Sequence, residues 1–134
     1  MDGFTQNNSG PQDSGLAPYA ILPTRYGSNA GDYVYVANRS VSGSSNGNIA
    51  GFAITTTGTT FTLTALSSTA TAGVTPLSLT EDSLGNYLLA VDSGGSPDLE
   101  AYTFDTTTAG KLDSALTGST GTDPVQASAV AALP

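Results

Sequence analysis

The sequence contains no cysteine and no histidine. Without them the chain can form no disulfide, no Ser-His-Asp triad, no Cys-His pair and no ordinary zinc site of its own. Cations are almost as scarce: Arg25, Arg39 and Lys111 stand against 11 acids, and the formal charge is −8. Three bases cannot neutralise a run of phosphates, which argues against nucleic acid as a partner. Nor do they form the Lys/Arg cluster that an anionic membrane surface attracts. No apolar run approaches the roughly 18 residues of a spanning helix, so no membrane insertion is expected. The start, Met1-Asp2-Gly3-Phe4-Thr5-Gln6, lacks the basic and apolar regions of a signal peptide. A period of 3.6 is missing too, the tail Ala127 to Leu133 being the only ambiguous stretch.

What remains is a hydroxyl-rich chain of short apolar runs. Its 134 residues suffice for one ordinary domain. With 16 Ser, 20 Thr and a single Lys, the composition resembles that of exported bacterial β proteins, and an extracytoplasmic location is the expectation. Residues 1–16, rich in Asn, Gln, Gly and Ser, read as a loop or frayed end. The apolar run Ala17 to Leu22 then leads through Pro23 and the Gly/Asn/Asp-rich segment 26–32 to Tyr33-Val34-Tyr35-Val36-Ala37-Asn38. That run, closed by a small polar residue, reads as a buried strand ending in a turn. Ile49 to Ile54 makes a third strand, and Phe61 to Leu66 alternates at period two, as a strand with one wet face does.

The same series then restarts. Thr75 to Thr80, Tyr87 to Val91, Leu99 to Phe104 and Lys111 to Leu116 repeat the four strands, and Asp123 to Val130 opens a third series. Tyr33 and Tyr87 are 54 residues apart, while Ile49 and Leu99, Phe52 and Tyr102, and Leu66 and Leu116 are each 50 apart. Pro18, Pro76 and Pro124 mark the starts of the three innermost strands. The expected division is therefore a first repeat over 17–75, a second over 76–123 and the opening strand of a third over 124–134. Four short strands in each repeat of this length indicate an all-β chain of propeller type, built of four-stranded antiparallel blades.

Specific residues strengthen that expectation. The pattern Thr75-Pro76, Asp82, Gly85 and Tyr87-Leu88-Leu89-Ala90-Val91, followed by Leu99, Ala101-Tyr102 and Phe104-Asp105, resembles the blades of the bacterial seven-bladed lactonase-like propellers. These include the propeller-type 6-phosphogluconolactonases and the YVTN repeat proteins, whose motif Tyr33 to Asn38 closely approaches. Seven such blades need more than about 300 residues, so the resemblance implies a segment of about two. It also implies partners: the other blades of a longer propeller, or further copies of this chain closing a self-assembled ring. The resemblance reaches the scaffold only, because no catalytic residue of those lactonases matches a position here.

Candidate chemistry is correspondingly sparse. Glu81-Asp82 falls in the turn between two strands, where a carboxylate accepts a backbone N–H and shapes the turn; Asp92 takes the place of Asn38 and reads the same way. Asp92, Asp98 and Glu100, around Ser93-Gly94-Gly95-Ser96-Pro97, are weak calcium candidates whose spacing does not match an EF-hand loop. Arg25 is a weak candidate for an anionic ligand. Tyr35, Tyr87 and Tyr102 read as packing area between repeats. Asn7-Asn8-Ser9 and Asn38-Arg39-Ser40 match the short glycosylation pattern without further support. No catalytic residue and no cofactor is assigned. The expected function is a noncatalytic scaffold or interaction module, the alternative being part of an enzyme that hydrolyses a sugar lactone such as 6-phosphogluconolactone.

Overall fold

The computed structural model describes residues 15–24, 32–40, 46–67, 70–94, 98–116 and 128–132. They build two antiparallel sheets and, among the described residues, no helix. The first sheet runs in chain order through β1 (Leu16–Thr24), β2 (Asp32–Ser40), β3 (Asn48–Thr57) and β4 (Thr60–Ala65), with the two-residue β5 (Ala70–Thr71) also paired to β3. The second runs through β6 (Val74–Glu81), β7 (Tyr87–Gly94) and β8 (Leu99–Thr103). β-Branched and aromatic residues such as Tyr33, Val34, Tyr35 and Val36 of β2 and Ile49, Phe52 and Ile54 of β3 fit a pleated, half-buried surface. Between β3 and β4 the chain reverses in two residues, with Gly58 at φ +61°, a conformation that glycine takes without a Cβ penalty.

The two sheets repeat each other in irregular detail as well as in order. Pro18 pairs with Asn38 and Pro76 with Asp92, and each pairing is followed by a register shift, before Ala20 and before Ser78. Just ahead of these prolines, Ala17 and Thr75 both take positive φ, 52° and 61°. Both prolines sit on edge strands, where a missing N–H leaves no gap in a ladder.

Pairing fixes the faces. Tyr33, Tyr35 and Ala37 lie opposite Ala53, Gly51 and Ile49, while Val34 and Val36 lie opposite Phe52 and Ala50 on the other side of the first sheet. In the second sheet Leu88 lies opposite Tyr102, and Ala90 opposite Glu100. The main core joins the two: Tyr33, Tyr35, Ile49 and Ala72 meet Leu88, Ala90, Tyr102 and Phe104, with β6 lying against β1 and β2. Burying side chains such as Ile49 and Leu88 contributes about 1.5–3 kcal/mol each. Tyr35 also donates its hydroxyl to the Gly110 carbonyl at 2.7 Å, and its ring centroid is 6.0 Å from that of Phe104.

Two strand expectations need correction. Lys111 to Leu116 is no continuous fourth strand of the second sheet: Leu112 bridges to Phe104 and Leu116 to Ala101, with a one-residue slip between them that interrupts the ladder. The first sheet's outer strand, expected over Phe61 to Leu66, is present as the uninterrupted β4, and β5 pairs separately with the start of β3. Residues 128–132 form no strand; the Val130 amide donates to the Ser78 hydroxyl at 3.3 Å, a side-chain contact in place of a ladder. Residues 1–14 and 117–127, including Pro124, lie outside the described residues, as do the Asn7 glycosylation pattern and Arg25. Tyr87 is not packing between the sheets either. One residue out of phase with Leu88, it faces away from the core and is 40% exposed.

Candidate functional site

The three acids suggested for calcium share one face. Asp98, Glu100 and Tyr102 alternate along and just before β8, and Asp92 and Ala90 do so on β7. The Asp92 amide donates to the Asp98 carbonyl at 2.9 Å and Ala90 pairs with Glu100, so all three carboxylates lie on the side of the second sheet that meets the first. Asp92 is 0% exposed, Asp98 4% and Glu100 9%. Burial of this kind overturns the turn reading of Asp92: it stands inside β7, not in a turn.

Their partners differ. Glu100 accepts the Tyr102 hydroxyl. Neither carboxylate oxygen of Asp92 has a hydrogen-bond donor among the described residues. Removal from water pushes its carboxyl up to about 7, the Glu100 and Asp98 charges push the same way, and the nearby Gly73 N–H offsets part of this without closing a hydrogen bond of good geometry. Gly73 has to be glycine for the carboxylate to sit there, since a Cβ would lie 2.8 Å from Asp92 Oδ2. The Tyr102 hydroxyl is driven well above the usual phenol range, first by burial and then by its bond to Glu100 and the Glu100 charge. Although the acids are neighbours, no three His, Cys, Asp or Glu side chains among the described residues converge as a metal-holding group.

Glu81 and Asp82 separate in role. Asp82 shapes its turn as expected, accepting the amides of Leu84 at 3.2 Å, Asn86 at 2.7 Å and Tyr87 at 2.6 Å. Glu81 does not; its Oε1 accepts the Thr24 hydroxyl at 2.5 Å, linking the second sheet to the first. Burial raises the Glu81 carboxyl, the Thr24 bond lowers it, and the Asp82 charge raises it again. The two described cations are engaged elsewhere, Lys111 with Asp105 at 2.7 Å and Arg39 above the Tyr19 ring, 5.1 Å from its centroid.

A second feature was not expected. On the opposite face of the first sheet, Tyr19, Ile21, Val34, Val36, Phe52 and Leu63 line an open groove of about 380 Å³. Val34 and Phe52 form its buried floor, while Tyr19 and Ile21, 58% and 69% exposed, form its rim. Among the described residues no carboxylate lines the groove, and the buried acids lie on the inner face of the other sheet. The signal for both features was present in the repeat spacing: Asp92 and Asp98 occupy the places of Asn38 and Asn48, and Val34 that of Leu88. Compared with protein-family models, characterised proteins and solved structures, the chain matches none.

Proposed function

We propose that this chain is a noncatalytic β-propeller repeat module, exported, whose sheets act as scaffold and interaction surface alongside other blades or further copies of itself. One observation carries the reading: among the described residues, the groove and the buried carboxylates Asp92, Asp98 and Glu100 lie on different faces and do not share a cavity. A hydrolase needs its acid, base or nucleophile within hydrogen-bond reach of the bound substrate. Here the groove is walled by apolar side chains, and the acids are enclosed between the sheets. The stacking of two equivalent sheets, bulge for bulge, supports the propeller part of the reading, and the Ser/Thr-rich, Lys-poor composition supports export.

The competing lactonase reading is tested directly. Purified protein incubated with a sugar δ-lactone, with ring opening followed by proton release at constant pH, is expected to show the buffer rate. Turnover above that rate, lost on Glu100→Gln or Asp92→Asn, would assign the acids a catalytic role and overturn the noncatalytic reading.

A further inference from the structure

The repeat shows what the groove face fits. Val34, Val36 and Phe52 on the first sheet occupy the places of Leu88, Ala90 and Tyr102 on the second. Those three are buried against the inner face of the first sheet, at Tyr33, Tyr35 and Ile49. The residues in the places of Tyr33, Tyr35, Ile49 and Leu66 are Tyr87, Leu89, Leu99 and Leu116, on or beside the second sheet's outer side. Of these Tyr87, Leu99 and Leu116 are 40%, 39% and 52% exposed. Each outward face of the stack is thus the counterpart of a face already buried within it, and the two are of opposite kind. The apolar cluster under the groove draws its members from β2 and β3 alone.

We infer that a second copy of this chain docks head to tail, the groove face of the first sheet of one copy covering the outer face of the second sheet of another. This rests on the interaction-surface reading above and gives it a partner. The contact continues the interface inside the chain, with Ile21, Val34 and Phe52 of one copy meeting Tyr87, Leu89 and Leu99 of the next. It is heterologous, so each copy keeps one free face of each kind and association continues to a ring or a filament.

The test uses complementation between two blocked faces. Wild-type mass, by light scattering over a concentration series, is expected to rise beyond the monomer. Ile21→Asp and Leu99→Asp each place a charge in the contact and are expected to weaken association about tenfold or more. Mixed one to one, the two variants are expected to form a dimer through their intact faces. Both substitutions are at exposed positions, and an unchanged circular dichroism spectrum and unfolding midpoint verify each fold. Leu84→Asp, in a turn and 77% exposed, is expected to associate as wild type does. A wild-type monomer at all concentrations overturns the proposal, and so does association weakened by only one of the two variants, which indicates a symmetric contact. Neither outcome touches the noncatalytic reading, which stands or falls on the lactone assay.

Discussion

Asn38 and Asp92 stand at the same ladder position of the two sheets, each fully buried, each opposite a proline at a bulge, each with a glycine pressed against it. In the first sheet Asn38 Nδ2 donates to Asn48 Oδ1 at 2.8 Å, so one amide provides what the other needs. In the second sheet the corresponding residues are Asp92 and Asp98, where burial raises the Asp92 carboxyl and the Asp98 charge adds to the rise. The same ladder position therefore holds a neutral amide in one repeat and a titratable carboxylate in the other. Backbone form and side-chain electrostatics are separable at this site.

Converting one repeat into the other is expected to have the largest effect. Asp92 carries a folded-state pKa near 7 against an ordinary value of 3.8. Between those values the folded chain holds a proton that the unfolded chain releases, so stability falls as pH rises from about 4 to about 7 and levels off above. Three pKa units correspond to roughly 4 kcal/mol. Asp92→Asn removes this loss. Chemical denaturation should find the variant on the order of 4 kcal/mol more stable than wild type at pH 8, with the difference shrinking towards pH 4. An equal difference at both pH values would mean that the carboxylate is not held in its protonated form.

The join between the repeats is the next place to break the comparison. Gly47 donates its amide to the Gly73 carbonyl at 2.8 Å and accepts from the Ala72 amide at 3.2 Å. A Cβ there would lie 2.2 Å from the Asn38 carbonyl oxygen and 2.4 Å from Pro76 Cδ, neither of which is the end of a flexible side chain. Gly47→Ala should cost about 3 kcal/mol in equilibrium unfolding, because backbone from both repeats has to move. A smaller effect is expected of Tyr35→Phe, which leaves the ring and removes the bond to the Gly110 carbonyl. A loss of about 1–2 kcal/mol follows if that carbonyl stays dry. A change within error would show that water replaces the hydroxyl and that the two repeats are joined there by apolar packing alone.

Much of the architecture was legible. Alternation and the 50- to 54-residue spacing located the described strands β1 to β4 and β6 to β8, because period-two burial writes itself directly into residue type. The interrupted pairing at Leu112 and Leu116 was not legible. A one-residue slip changes which amide meets which carbonyl without altering composition. Tyr87 was misplaced for a related reason: an aromatic beside an apolar run names no face until the neighbouring sheet is in position. Asp92 was read as a turn residue from its chemistry, and Asp82, of the same chemistry, does hold a turn.

By itself the sequence determined the all-β class, the double repeat, the absence of thiol and imidazole chemistry and the acidic charge, since each depends on residue identity and local period. Tertiary structure decided which side of each strand is enclosed. That choice makes Asp92 a buried carboxylate, Glu81 a tie between sheets and Val34 the floor of a groove. The physical reason is that desolvation belongs to no residue. It arises where a second surface excludes water, and the positions on that surface come from elsewhere in the chain.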